Sequence, residues 1–192
     1  MKKIEFVYRE MLDNVLEKKN NTLTQSELSK RLKVSLSTVN HALKPLIKMN
    51  SVEIRQRCFN IIDAKKILYH WASIRNLEKD IIYSTRVELP VQEIEKNMPQ
   101  DIVYAAYSGY RFRFKDAPSD YSEVYVYGDE SLEKRFKKNN SPPNLFILKK
   151  DEFMKGNVAS LSQLFVDLWN IKAWYAKDFL KALEVKINGL LE

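Results

Sequence analysis

Cysteine, histidine and glycine are scarce in this chain of 192 residues, which contains one cysteine, two histidines and four glycines. The single Cys58 excludes an intramolecular disulfide and any metal site built from several cysteines. So few glycines leave no Gly-rich phosphate-binding loop, and no nucleophile elbow is present. We therefore expect no bound metal, no cofactor and no enzymatic activity.

Long apolar runs are also absent. No segment approaches the roughly 18 consecutive apolar residues that cross a bilayer. The first residues, 1–6, include charged side chains and lack the apolar core of a secretion signal. These absences predict a cytoplasmic protein that has no membrane partner.

The chain carries an excess of positive charge, and its net charge of +7 is unevenly distributed. Residues 1–75 contain 15 Lys and Arg but only 7 Asp and Glu, whereas the remaining residues contain 17 and 18. A basic segment beside a neutral one is typical of a module that binds a polyanion. A basic surface that is merely solvated would account for the charge equally well. The local sequence has to distinguish between these two interpretations.

Helical periodicity and capping signals predict three helices in the first 50 residues. Apolar residues between Ile4 and Leu16 recur at the spacing of one helical face. Thr24 and Glu27 are spaced as a capping box at the start of a second helix. Ser35 is placed to cap a third helix that runs to about residue 49.

After the third helix the period of the pattern changes from 3.6 to 2. Val52 and Ile54, and then Phe59 and Ile61, alternate with polar residues and predict a short β-hairpin. Asp63 is placed to cap a fourth helix. Three helices, a hairpin and a further helix in this order describe a winged helix-turn-helix, which binds double-stranded DNA.

Predicted strands and helices alternate in the second half of the chain. Strands are predicted at 81–87, 101–107, 124–127 and 145–148, and short helices at 90–97 and 132–138. Two longer helices follow, the first opened by a capping box at Ser160 and Gln163, and the last ended by Gly189. The fold class is therefore α+β: a winged helix-turn-helix over residues 1–77, then a small α/β domain with C-terminal helices over 78–192.

The third predicted helix has a polar face that suits the reading of DNA. At about 100° per residue, its other side collects the apolar residues that we expect to be buried: Leu36, Val39, Leu43, Leu46 and Ile47. The polar face carries short hydrogen-bonding groups first and cations later, the order that a recognition helix needs. The residues predicted to contact DNA from this helix are Ser35, Ser37, Thr38, Asn40, His41, Lys44 and Lys48. A solvated face without a partner is the alternative.

Pro45 interrupts the helical pattern of this segment. Proline removes one backbone hydrogen bond and clashes with the carbonyl four residues earlier. We therefore expect the third helix either to kink or to end near Lys44. The position of its polar face does not depend on which of these occurs.

Basic residues also flank the predicted hairpin turn. Arg55 and Arg57 lie where a wing would cover the minor groove, and the guanidinium group suits phosphates and narrow grooves. Two exposed arginines on an ordinary turn are the alternative. At the end of the second helix, Lys30, Arg31 and Lys33 are predicted to face phosphates or solvent.

Aromatic residues are concentrated in the second half of the chain. They include Tyr104, Tyr107, Tyr110, Phe112, Phe114, Tyr121, Tyr125 and Tyr127. We interpret them as the core of a small sheet, with a ligand pocket or a dimer surface as alternatives. Basic residues at 111, 113 and 115 alternate with aromatic ones, which is typical of an edge strand or of a nucleic-acid contact.

Several motifs resemble known families of regulators. The stretches LSKRL at 28–32 and VSLSTV at 34–39 resemble the winged helix-turn-helix of many prokaryotic regulators. Further blocks resemble an archaeal group of winged-helix regulators similar to the AbiEi antitoxins of type IV toxin–antitoxin systems: YHWASIRNL at 69–77, DYSEVYVY at 120–127, PNLFIL at 143–148 and VDLWN at 166–170. This resemblance spans nearly the whole chain. It implies operator binding by the N-terminal domain and, for an antitoxin, a toxin protein as partner.

A second resemblance is to an enzyme family. Residues 106–110 followed by 119–124 are similar to a degraded nucleotidyltransferase signature, in which a Gly-Ser pair precedes a strand with two metal-binding carboxylates. Tyr110 stands where the serine belongs, and Ser122 stands where the second carboxylate belongs. Because two divalent cations need several converging carboxylates, Asp120 alone predicts a fold that has lost its chemistry.

The leading hypothesis is thus a homodimeric transcriptional regulator that binds operator DNA through residues 35–48 and a basic wing at 55–57. The second domain would supply dimerisation, a partner surface or effector binding. A nucleotidyltransferase with a DNA-binding appendage is the alternative from the enzyme class. An antitoxin that acts mainly through protein–protein contact is the third hypothesis.

Overall fold

The computed structural model describes residues 1–192, which form two compact units. Unit 1 comprises Met1–Arg75 together with Ile187–Glu192, and unit 2 comprises Asn76–Lys186. None of the helices combines the length and the hydropathy that crossing a bilayer requires.

Unit 1 contains four helices and a three-stranded antiparallel sheet before Arg75. In chain order these elements are α1 (Lys3–Leu16), β1 (Thr22–Leu23), α2 (Gln25–Arg31), α3 (Leu36–Lys48), β2 (Val52–Ile54), β3 (Phe59–Ile61) and α4 (Ala64–Ile74). The strand order is β1-β3-β2, and β2 and β3 form the predicted hairpin. This order of elements confirms the predicted winged helix-turn-helix.

Local hydrogen bonds determine where these helices begin. Thr24 Oγ1 accepts a hydrogen bond from Glu27 N at 3.1 Å, and a Glu27 carboxylate oxygen accepts one from Thr24 N at 3.2 Å. The side chains of Ser35 and Asp63 likewise accept a backbone N–H from the first turn of α3 and α4. Each bond satisfies an amide that the helix leaves without a backbone partner, and the predicted caps are confirmed.

The core of unit 1 holds α3 against α1 and α2. The α3 side chains without any exposed surface are Val39, Ala42, Leu43 and Leu46. Tyr8 of α1 donates a hydrogen bond to the carbonyl oxygen of Ala42 at 3.2 Å, and burial raises the pKa of Tyr8 to about 12. In the connection between α2 and α3, Ser29 Oγ donates to the carbonyl oxygen of Val34 at 2.6 Å. These contacts fix which face of α3 is buried.

The helix α3 continues through Pro45 and ends at Lys48. Of the two outcomes expected at Pro45, a kink or an end near Lys44, the second is therefore wrong. Proline forfeits a single backbone hydrogen bond, and the buried side chains on both sides of it keep the segment helical.

Unit 2 is built around a four-stranded mixed sheet. After a 3₁₀ turn at Leu77–Asp80, its elements are β4 (Ile81–Thr85), α5 (Val91–Lys96), β5 (Val103–Tyr104), α6 (Ala106–Phe114), β6 (Val124–Gly128), α7 (Leu132–Arg135), β7 (Leu145–Lys149), α8 (Leu161–Trp169) and most of α9 (Ala176–Leu191). The residues of α9 from Ile187 onward belong to unit 1. The strand order is β4-β7-β6-β5, in which only β6 and β7 run parallel. The mixture of helices and sheet confirms the α+β class.

Four of the eight aromatic residues interpreted as core are buried in unit 2, and the other four are half-buried; the buried ones are Tyr107, Tyr110, Tyr125 and Tyr127. Tyr107 and Tyr127 have no exposed surface. The ring of Tyr107 lies 5.0 Å from that of Phe179, and the rings of Tyr125 and Phe146 stack 4.5 Å apart. Burial raises the pKa of both Tyr107 and Tyr125, because the phenolate form loses its hydration. These side chains stabilise the sheet and its helices.

The capping box predicted for α8 forms only in part. Ser160 Oγ accepts a hydrogen bond from Gln163 N at 3.4 Å, as expected of the cap. The Gln163 side chain instead donates to Tyr127 Oη and to Asp167 Oδ1, both at 2.8 Å. Tyr127 also donates to Asp167 Oδ2 at 2.7 Å, which completes a network of three buried polar side chains. The Gln163 side chain therefore bonds to Tyr127, which is distant in sequence, and does not take part in the cap.

The segment after β5 differs most from the prediction. A strand was expected over 101–107 and an edge strand was one interpretation of 111–115, but Ala106–Phe114 forms the helix α6. This helix packs against β6 and α8. A Cβ on Gly109 would lie 2.5 Å from Leu164 Cδ2 and 2.8 Å from the Tyr104 carbonyl oxygen, so glycine permits this close approach. Packing therefore overrides the local alternation.

Two helix ends also differ from the prediction. Helix α7 ends at Arg135, three residues before the expected end at Lys138. Helix α9 continues through Gly189 to Leu191, although glycine was expected to stop it. A Cβ at Gly189 would meet no neighbouring atom, and a single glycine lowers helix stability by only about 1 kcal/mol relative to alanine.

Candidate nucleic-acid interface

The outer face of α3 carries the side chains predicted to contact DNA. Those exposed to solvent are Ser35, Ser37, Asn40, His41, Lys44 and Lys48, and Thr38 is half-buried. Burial of the opposite side against α1 and α2 makes this face the solvent side of unit 1. Lys44 and Lys48 have no ion-pair partner within the protein. The hydrogen-bonding groups precede the cations along the helix, as the sequence predicts.

Two hydroxyl groups on this face already help to begin the helix. Ser35 Oγ accepts a hydrogen bond from Thr38 N at 3.1 Å and lies 2.9 Å from Thr38 Oγ1. The side chains of Ser37, Asn40 and His41 have no hydrogen-bond partner within the protein. The donors and acceptors of these three residues are therefore fully available to a ligand, whereas those of Ser35 and Thr38 are partly committed to the cap.

Two residues assigned to the buried side of α3 are in fact exposed. Leu36 retains 55% of its surface and Ile47 retains 39%, so the prediction is wrong for both. Helical spacing gives the direction of a side chain but not whether a neighbouring element covers it. Both residues lie near the ends of the helix, beyond the stretch from Val39 to Leu46 that packs on the rest of unit 1.

The basic end of α2 is also only partly free. Arg31 Nη1 forms an ion pair with Glu10 of α1, and Lys18 Nζ lies 3.1 Å from the same carboxylate oxygen. Burial raises the pKa of Glu10, but hydrogen bonds from Arg31 and Lys18 outweigh this effect and hold the pKa below its usual value. Arg31 therefore connects α2 to α1. Lys30, the residue before it, is exposed and is open to a phosphate.

The hairpin has a two-residue tip formed by Gln56 and Arg57. Arg55 N donates a hydrogen bond to the Cys58 carbonyl oxygen at 2.9 Å, which closes the turn. The Arg55 guanidinium lies 2.9 Å from Glu53 Oε2, and both side chains are more than half exposed. Arg57 is exposed and has no partner within the protein. The positive charge of the wing is thus unopposed at Arg57 and partly neutralised at Arg55.

In unit 2, the residues that resemble a nucleotidyltransferase signature lie in different environments. Tyr110 is buried in α6, whereas Asp120 and Ser122 are exposed in the segment before β6. Ser122 Oγ lies 3.2 Å from Tyr175 Oη. The neighbouring Glu123 accepts a hydrogen bond from Tyr125 Oη at 3.3 Å, and burial raises its pKa. No group of three or more His, Cys, Asp and Glu side chains lies where it could hold a metal ion.

The basic residues that follow Tyr110 lie on a helix and not on a strand. Arg111 pairs with Glu95, which is almost fully buried and also accepts a hydrogen bond from Tyr121 Oη at 2.8 Å. The Arg111 guanidinium lies 4.8 Å from the Phe112 ring centre. The guanidinium of Arg111 is therefore engaged inside unit 2, and the alternating pattern does not form a row of cations on one strand face.

Comparison with known proteins agrees with the geometry of unit 1. The winged helix-turn-helix DNA-binding family matches residues 14–53, which extend from the end of α1 to β2 and include the whole of α2 and α3. Unit 1 therefore contains a winged helix-turn-helix DNA-binding domain. Comparison with curated proteins and with solved structures found no match.

Proposed function

We propose that this protein is a transcriptional regulator that binds operator DNA through α3 and the β2–β3 wing. The observation that carries the proposal is the exposed face of α3, where Ser37, Asn40 and His41 have free hydrogen-bonding groups and are followed by the unpaired Lys44 and Lys48. This face belongs to the helix that enters the major groove in domains of the matched family's type.

The order of residues along α3 fits the geometry of the major groove. The helix has 13 residues and is about 20 Å long, so its first turns enter a groove about 12 Å wide while its end approaches the backbone. Serine, asparagine and histidine present short donors and acceptors to base edges. Lysines beyond them attract phosphates whatever the sequence. The arrangement therefore supports both sequence reading and general attraction to DNA.

Selection from a pool of random duplexes tests the proposal. The full-length protein should enrich a defined motif, which we call the selected duplex, and should bind it more tightly than a scrambled duplex at equal ionic strength. Affinity for both duplexes should fall steeply with salt, because lysine and arginine displace counterions from phosphates. Recovery of unenriched sequences with no salt dependence would contradict the proposal.

The wing should contribute mainly through Arg57. Arg57→Ala should weaken binding to every duplex and reduce the slope of log K against log salt by about 0.9, the value for one phosphate contact. Glu53→Gln should strengthen binding to every duplex, because it removes a negative charge and releases Arg55.

Titration of each variant at several salt concentrations measures both effects. Lys66→Ala is the charge-matched control. Lys66 lies in the first turn of α4, which follows β3 and is separated in sequence from the hairpin tip. Equal changes in slope for Arg57→Ala and Lys66→Ala would remove the wing from the interface.

We further propose that the protein acts as a homodimer. Unit 2 would supply either the contact between the two subunits or a surface for another partner. Regulators of this kind bind two half-sites related by symmetry, so the selected duplex should be palindromic with half-sites separated by about 10 base pairs or a multiple. The resemblance of the chain to AbiEi antitoxins supports a toxin protein as a further partner. Sedimentation of the protein alone, and co-purification with the product of the adjacent gene, test the two proposals separately.

Unit 2 is proposed to have no nucleotidyltransferase activity. Asp120 is exposed in a loop, and the position two residues later is Ser122 where the enzyme family has a second carboxylate. Labelled nucleoside triphosphates incubated with the protein, Mg²⁺ or Mn²⁺ and candidate acceptors should therefore show no transfer. Transfer that disappears in Asp120→Ala would establish the enzyme instead.

A further inference from the structure

Leu36 is an apolar side chain in the first turn of α3, the helix that we assign to the reading of DNA. It is the first residue of α3, it is 55% exposed, and the exposed Ser35 and Ser37 lie on either side of it. Val39 and Leu43, on the same side of the helix, have no exposed surface, whereas Leu36 is only partly covered. More than half of the Leu36 side chain is therefore left outside the core of unit 1.

Single exposed leucines are common, so exposure alone does not indicate a function. Its position is the more informative observation. The first turn of a docked recognition helix meets the base edges of the major groove, where the C5-methyl of thymine is the apolar group that a base pair presents. An apolar side chain among polar ones at this point fits that methyl group and no other feature of the base edges.

We infer that Leu36 is a specificity-determining residue that packs against a thymine methyl group in the operator. This inference rests on the proposed function, because it requires α3 to lie in the major groove. Burial of one methyl group against Leu36 predicts a discrimination of about fourfold between thymine and the same base without its methyl, or about 0.8 kcal/mol at 1.4 kcal/mol per tenfold. The polar side chains of the same helix would then read the neighbouring bases.

Replacement of thymine by deoxyuracil tests the inference without altering any base-pair hydrogen bond. Each thymine of the selected duplex is replaced in turn, in both half-sites where two are present, and affinity is measured for each duplex. The wild-type protein should lose about fourfold per contacted methyl at one position. Leu36→Ala should bind the thymine and deoxyuracil duplexes equally at that position, and Leu36→Met should restore the difference.

Ile62→Ala is the matched control, since Ile62 is 60% exposed and its backbone N–H is bonded to Ser51, which follows the far end of α3. This variant should keep the wild-type preference for thymine. Circular dichroism confirms that each variant is folded. The inference is overturned if Leu36→Ala keeps the preference for thymine, or if the wild-type protein shows that preference at no position. In either case the enriched motif would still support the proposed function. Failure to enrich any motif would instead overturn the proposed function, and the inference with it.

Discussion

Simultaneous replacement of Ser37, Asn40 and His41 by alanine is expected to abolish most of the preference for the selected duplex over a scrambled one. Each base contact contributes about 1–3 kcal/mol of discrimination, so loss of three contacts should reduce the ratio of affinities by more than about a hundredfold. Folding should be nearly unaffected, because the three side chains are exposed and make no hydrogen bond within the protein. Weak binding to the scrambled duplex should barely change.

Lys48→Ala is the matched control and should have the opposite effect. Its side chain is exposed near the end of α3, so the variant should lower both affinities together and leave their ratio unchanged. Titration of each variant against both duplexes at one ionic strength measures the ratios. If the triple variant keeps the wild-type ratio, α3 does not read sequence and the assignment of the reading face is wrong.

Ser35→Ala and Thr38→Ala separate a role in DNA reading from a role in the cap. Ser35 accepts the Thr38 N–H, and loss of a serine cap costs about 1 kcal/mol of stability. The Ser35 variant should therefore lower the free energy of unfolding, which the triple variant should not. A Thr38 variant that lowers specificity at unchanged stability would place Thr38 among the reading residues.

Replacement of Glu5 by alanine is expected to cause a large loss of stability in unit 1. A Glu5 carboxylate oxygen accepts hydrogen bonds from Trp71 Nε1 at 3.1 Å and from Arg75 Nη1 at 3.3 Å, and the ion pair is almost completely buried. The other oxygen accepts the backbone N–H of Lys2 at 2.9 Å. Removal of one partner of a buried pair costs about 3–5 kcal/mol, because the remaining charge stays buried without that partner.

Denaturant unfolding measured on the full-length protein tests this expectation. Glu53→Ala is the control, since Glu53 also pairs with an arginine but both side chains are more than half exposed. Exposed pairs contribute about 0–1 kcal/mol, so this variant should unfold almost as the wild type does. Equal stability of the Glu5 and Glu53 variants would show that the buried pair does not hold α1 to α4.

Much of unit 1 could be predicted because its signals span few residues. The caps at Thr24, Ser35 and Asp63 each join atoms three residues apart, so their hydrogen bonds are encoded in consecutive sequence. The hairpin pairs residues that the change of period already indicates. The polar face of α3 follows from helical geometry alone, and the matched family agrees with the fold.

Interactions between distant residues could not be predicted in the same way. The engagement of Arg31 by Glu10 and the pairing of Glu5 with Arg75 join residues that only the folded chain brings together. Helical spacing placed Leu36 inside, but more than half of its surface is exposed. The direction of a side chain is a local property, whereas its burial depends on a neighbour supplied from elsewhere in the chain.

The helix α6 shows the same division in unit 2. Its alternating aromatic and basic residues favour a strand over a short window, and local sequence contains no stronger signal against it. Packing against β6 and α8 buries Tyr107 and Tyr110, and Gly109 allows the approach. The sequence by itself determined the caps, the hairpin and the exposed polar face of α3, because these depend on neighbours in the chain. Only the tertiary structure decided which apolar and charged side chains find partners, because burial free energy depends on surfaces that meet across long separations.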